Sequence, residues 1–129
     1  MIEITGRDFD REVLECDVSV FTCFTTEWCQ SCYATCLFAD QLAREYDRSI
    51  KFVRLNMEKN PEIAERYHVI AVPTILLFHN SQVVKRLLGF QDRSSLRTLL
   101  SSATAENEKT GALQTPGGNR RLQPTIEIN

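Results

Sequence analysis

Residues 18–24 read Val-Ser-Val-Phe-Thr-Cys-Phe, rich in β-branched and aromatic side chains, with both alternating faces mostly apolar. A strand of that kind needs cover above and below, which places it at the centre of a sheet. The chain that follows supplies such cover. Ala34, Phe38, Leu42 and Tyr46 recur every four residues, the stripe of a long amphipathic helix. Residues 50–57, Ile-Lys-Phe-Val-Arg-Leu-Asn-Met, form a second buried strand, and residues 74–78, Thr-Ile-Leu-Leu-Phe, a third. Pro73 opens that third strand, a position where proline removes no ladder bond. Asn80-Ser81 is a turn, and residues 83–88 return as its hairpin partner.

Helical segments fill the remaining gaps. Asp8 is placed to cap a first turn, with Phe9, Val13 and Leu14 at helical spacing behind it. Asn60-Pro61-Glu62 combines an N-cap, a proline for the first helical position and an acid for the positive end of the dipole. That helix is expected to end near Tyr67. Asp92 caps a last helix carrying Leu96, Leu99 and Leu100. With a short edge strand at residues 3–5, the order β-α-β-α-β-α-β-β-α predicts an α/β fold with a mixed sheet and helices on both faces.

At 129 residues the chain holds one hydrophobic core. Periodicity stops after about Thr104, so the expected domain is 1–104, followed by a disordered tail at 105–129 around Pro116-Gly117-Gly118-Asn119. A net charge of -2 makes no electrostatic case for nucleic acid or a membrane surface. No apolar run approaches the roughly 20 residues that span a bilayer. The first fifteen residues lack a basic then apolar secretory pattern, and the cysteine count of five is odd. Both point to a reducing, cytoplasmic setting with free or catalytic thiols.

Three of those thiols fall in Trp28-Cys29-Gln30-Ser31-Cys32-Tyr33-Ala34-Thr35-Cys36. A C-x-x-C that follows a buried strand and opens a helix places its first sulfur among unpaired amides, where a thiolate is stabilised. The second sulfur lies one turn further in, within reach of a mixed disulfide. Cys29 is therefore the candidate nucleophile and Cys32 the resolving thiol. A zinc half-site would need a second Cys or His pair, and His68 and His79 stand apart from each other, so no metal is expected.

With these residues in view the chain resembles the thioredoxin family from about Ile2 to Ser101. The resemblance rests on FTTEWCQSC, VRLNMEKNPEIAERYHV, the VPT of Val72-Pro73-Thr74, and Gly89. It implies a three-layer α-β-α sandwich with a five-stranded mixed sheet and four helices. It further implies that Pro73 is cis and faces the cysteine pair, where the backbone of Val72 would pair with an extended substrate segment. Trp28, Val72, Pro73 and Gly89 would form the apolar apron that binds substrate. The implied partners are disulfide-containing proteins and a flavin reductase drawing on NADPH. No cofactor would be bound to this chain, and a monomer is expected.

The sequence also departs from the family pattern. Gln30-Ser31 stands where Gly-Pro is usual, and these two residues tune thiolate pKa and redox poise. Cys23 occupies a strand position that commonly carries a buried Asp; slower resolution follows, although a small core hydrophobe is the preferred reading. Leu37 replaces a kinking proline, and Thr25 an aromatic residue. Cys36, on one helical stripe with Cys29 and Cys32, is read as core filler in preference to a regulatory disulfide or a soft-metal ligand. Cys16 is read as inert. The expected activity is reduction of protein disulfides through Cys29 and Cys32. The alternatives are an isomerase or oxidant tuned by Gln30-Ser31, or an adaptor or redox sensor on the same fold.

Overall fold

The computed structural model describes residues 1–46 and 48–113. Five strands form one mixed sheet: β1 (Ile2–Ile4), β2 (Ser19–Thr25), β3 (Ile50–Asn56), β4 (Thr74–His79) and β5 (Gln82–Leu88), in the spatial order β1-β3-β2-β4-β5. β1, β3 and β2 run parallel, β4 is antiparallel to β2, and β5 is antiparallel to β4. The 18–24 segment is central, as its two apolar faces require. Phe21 and Cys23 point into one core, and Val20 and Phe24 into the other.

The layers follow from those two cores. On one face α1 (Gln30–Tyr46) and α3 (Arg93–Leu113) cover Phe21, Cys23, Phe52, Ile75 and Leu77 with Cys36, Ala39, Leu42, Leu96 and Leu99. On the other, α2 (Pro61–Arg66) and the N-terminal turns bury Phe9, Val13, Ile63 and Ala64 against Val20, Val53, Leu55 and Leu76. The result is the three-layer α-β-α sandwich with a five-stranded mixed sheet and four helical segments.

Four local features differ from the expectations. The first helical segment is a 3-10 turn, Gly6–Asp8, followed by a π-helical turn, Asp10–Leu14. Asp8 caps nothing there; its carboxylate takes a bond from Arg11 at 3.1 Å. Both turn types still bring Phe9 and Val13 into the core, which is what the spacing had encoded. Asn60 precedes α2, but its side chain makes no cap bond. Its Oδ1 instead accepts from the Gly6 amide at 2.7 Å, and its Nδ2 donates to the Asn56 carbonyl at 2.9 Å.

On α1 the buried stripe is Cys32, Thr35, Cys36, Ala39 and Leu42, displaced from the four-residue series beginning at Ala34. Small side chains seat the helix close to the sheet, and bulky Phe38 and Tyr46 pack along its border. Finally, α3 runs past Thr104 to Leu113. Its extension, Ala-Glu-Asn-Glu-Lys-Thr-Gly-Ala-Leu, is rich in residues that favour helix without needing an apolar stripe. The rest of the expected tail, residues 114–129, lies outside the described residues.

The hairpin turn and the last cap match their chemistry. Asn80 and Ser81 both have positive φ, 54° and 69°, the twist that a two-residue hairpin loop needs. The Ser95 amide donates to Asp92 Oδ1 at 2.9 Å, opening α3.

Candidate active site

The site lies where β2 ends and α1 begins. The Cys29 carbonyl accepts from the Tyr33 amide at 3.2 Å, so Cys29 holds the N-cap position of α1. Its sulfur then occupies the place of a capping side-chain oxygen: the Cys32 amide donates to Cys29 Sγ at 3.1 Å. The strand and the helix thus deliver the first sulfur to the amides that stabilise negative charge. Cys29 and Cys32 form a disulfide, with their Cα atoms 5.2 Å apart. Cys29 is partly exposed while Cys32 is only 2% exposed. A substrate can therefore reach the first sulfur, and the second is reached only through it.

Gln30 is exposed, and Ser31 places Oγ 3.4 Å from Cys29 Sγ. Of the intervening residues, only Ser31 bonds to the sulfur. The loop carrying Trp28 is tied to the end of β3 by several contacts. Trp28 Nε1 donates to Glu58 at 3.0 Å, Lys59 pairs with Glu27 at 3.0 Å, and the Met57 amide donates to the Thr25 carbonyl at 2.8 Å. Trp28 keeps 69% of its surface exposed beside the cysteine pair.

The sheet brings the second half of the site to the same end. Thr74 pairs with Phe24, so Pro73, one residue earlier, lies beyond the last rungs of β2. The Val72–Pro73 bond is cis. Thr74 also pairs with Leu88, and the Gly89 amide donates to the Pro73 carbonyl at 2.8 Å. Gln91 extends this connection to the helix. Its amide donates to Thr35 Oγ1 at 3.1 Å, and its side chain donates to the Leu88 and Gly89 carbonyls, each at 3.2 Å. Thr35 lies one turn past the disulfide, so Pro73, Gly89, Gln91 and α1 form one hydrogen-bonded chain. Thr35 and Gln91 were not singled out in the sequence, because polar residues there read as an ordinary helix position and a loop.

Val72 is half-buried and Pro73 buried, whereas Ile70 and Phe90, which flank Pro73 and Gly89 in the chain, are exposed. Among the large apolar side chains next to Cys29–Cys32, Pro73 and Gly89 in the chain, Trp28, Tyr33, Ile70, Leu88 and Phe90 are exposed.

Cys23 lies one layer deeper. It is fully buried, and its sulfur is 3.9 Å from that of Cys36. The hydrogen bond between the two thiols holds the Cys36 thiol below its ordinary value, against the opposing effect of burial. The same bond, reinforced by burial, pushes Cys23 well above it. Cys16 packs against the opposite core, away from this pair. Among the described residues, no group of three His, Cys, Asp or Glu side chains is arranged to hold a metal ion.

A C-x-x-C disulfide at a helix N-terminus, with one accessible sulfur and a cis-proline loop at the same sheet end, defines a thiol–disulfide oxidoreductase. Residues 1–102 match the family model described as Thioredoxin. The thioredoxin of Buchnera aphidicola subsp. Schizaphis graminum is 36% identical over 100 residues, covering 78% of this chain and 93% of that protein. Thioredoxin 1 of Nostoc sp. is 32% identical over 98 residues, covering 76% and 92%. The thioredoxin of Porphyra purpurea is 32% identical over 99 residues, covering 77% and 92%. The chain belongs to the thioredoxin family.

Proposed function

We propose that this protein reduces protein disulfides by dithiol–disulfide exchange. The observation that carries the reading is the amide of Cys32 aimed at Cys29 Sγ from 3.1 Å, at the end of a helix whose dipole favours the thiolate. In the reduced protein the Cys29 thiolate attacks one sulfur of a substrate disulfide. The Cys29–substrate bond forms, and the first substrate thiolate leaves. Cys32 then loses its proton and attacks Cys29 Sγ; the second substrate thiolate leaves and the Cys29–Cys32 disulfide closes. The substrate gains two electrons and two protons in all.

Val72, Pro73 and Gly89 bind the substrate backbone beside Trp28, in the strand-addition manner. Gln30, Ser31 and Cys23 tune the rate and poise. The dithiol is regenerated by a reductase that draws on NADPH, with no cofactor held by this chain. The protein acts as a monomer in the cytoplasm. No helix among the described residues is long and apolar enough to cross a membrane.

Turbidimetric insulin reduction in dithiothreitol tests the reading. The wild type is expected to outpace the Cys29→Ser/Cys32→Ser double variant by at least tenfold, and Cys32→Ser alone to trap a mixed disulfide through Cys29. Equal rates for wild type and double variant would overturn it.

A further inference from the structure

We propose that Cys23 and Cys36 form a second redox-active dithiol, buried beneath Cys29–Cys32 and exchanging electrons with it. The proposal rests on reading Cys29–Cys32 as the redox pair, and four observations carry it.

The first is placement. Cys23 points from the middle of β2 into the core under α1, and Cys36 meets it there from α1, sulfur to sulfur at 3.9 Å. A disulfide requires closing that gap to about 2.05 Å. The second is continuity: Cys36 follows Cys32 by one helical turn, the spacing at which side chains on a helix are neighbours. The third is access. Cys23 is 0% exposed and Cys36 9%, so an oxidant in solution reaches them poorly, whereas Cys32 lies on the same buried stripe of α1 as Cys36. The fourth is polarity within the pair. The hydrogen bond between the two sulfurs favours Cys36 as the readier thiolate, with Arg54 favouring and Asp40 opposing its charge.

The exchange balances without any outside reagent. Cys36 thiolate attacks Cys32 Sγ; the Cys32–Cys36 bond forms, the Cys29–Cys32 bond breaks, and Cys29 leaves as the thiolate bonded by the Cys32 amide. The proton that Cys36 lost passes to Cys29. Cys23 then gives up its proton and attacks Cys36 Sγ, the Cys23–Cys36 bond forms, and Cys32 leaves and takes that proton. Two electrons have moved from the buried pair to the outer one, whose dithiol is restored. A fully reduced chain thus delivers four electrons, enough for two substrate disulfides, before a reductase is needed.

The test counts thiols. The full chain is equilibrated in glutathione buffers of increasing oxidising strength, acid-quenched, denatured and labelled with N-ethylmaleimide for intact mass and peptide mapping. With five cysteines, the expected label count falls from five to three as Cys29–Cys32 closes, then to one as Cys23–Cys36 joins it, leaving Cys16. Mapping should recover a linked Cys23–Cys36 peptide. Cys36→Ala should lose only two labels at any buffer composition. In the Cys29→Ser/Cys32→Ser variant the inner link should form at least tenfold more slowly. A wild-type count that stops at three overturns the proposal and leaves the outer pair's role intact; a count that stays at five removes both. An inner link that forms equally fast in the double variant overturns the exchange.

Discussion

The amide of Gly89 donates to the carbonyl of Pro73 across 2.8 Å, joining the first residue beyond β5 to the loop that opens β4. The bond requires the chain to turn at Gly89 with φ at +83°, in the left-handed region. No atom lies within 4 Å of where a Cβ would stand, so only the backbone resists a side chain there. Gly89→Ala is therefore expected to cost about 1–2 kcal/mol, the penalty for a Cβ in that conformation. If the loop around Pro73 binds substrate, KM for insulin should rise more than kcat falls. Urea denaturation and steady-state reduction assays check both; an unchanged midpoint would show that the turn relaxes freely.

Ser31 Oγ stands 3.4 Å from Cys29 Sγ, and the same hydroxyl can donate to the thiolate once the disulfide opens. Ser31→Ala removes that donor. Losing one such bond is worth about 0.5–1.5 kcal/mol. The Cys29 thiolate is accordingly less stabilised in the variant, which should alkylate more slowly at a given pH. The pH profile of iodoacetamide alkylation of the reduced protein measures it. A profile that does not move would mean that Ser31 turns away after reduction.

A further change concerns β2 alone. Thr22 is wholly buried, on the same strand face as Val20 and Phe24, and its hydroxyl has no hydrogen-bond partner. Its neighbours in register are Val53 and Leu76, both apolar. A buried hydroxyl without a partner costs about 1–3 kcal/mol by protein mutational measures, and valine has the same shape. Thr22→Val is expected to stabilise the fold by roughly 1 kcal/mol, with the reduction rate unchanged. Thermal or urea denaturation decides; a destabilised variant would point to a partner for this hydroxyl.

The sheet was legible in the sequence because a strand buried on both faces leaves an apolar run that few other elements can use, as residues 18–24 and 74–78 do. The pair Cys29 and Cys32 was legible for the same reason: strand before, helix after. What escaped depends on contacts distant in the chain. Asn60 reads as an N-cap from its neighbours, yet Gly6, 54 residues earlier, takes its side chain. Phe9 and Val13 fit helical spacing equally well in a 3-10 and π-helical segment, so the pattern could not distinguish these from an α-helix. The Cys23–Cys36 contact needed the seating of α1 over β2. Strand parity and helix stripe each put one thiol in the core, but neither sets how far the helix slides along the strand. The chain from Thr35 through Gln91 to Gly89 was hidden for that reason too.

The ion pair between Glu45 on α1 and Arg97 on α3 offers a test of how the two helices on one face are held. Arg97 donates to both carboxylate oxygens, at 2.8 and 3.2 Å. That hydrogen bonding, ahead of the charge attraction, lowers the Glu45 pKa from its ordinary 4.5. For a carboxylate depressed on folding, the stabilisation is present above the unfolded value and is lost as pH falls through the folded one. Glu45→Gln should thus lower the urea midpoint near neutral pH, and the gap should close as pH falls below 4.5 and through the lowered folded-state value. Both side chains are about half exposed, at 50% and 47%, so added salt should shrink the neutral-pH gap. A gap that persists in acid would assign the effect to packing of the Glu45 stem on α3 in place of its charge.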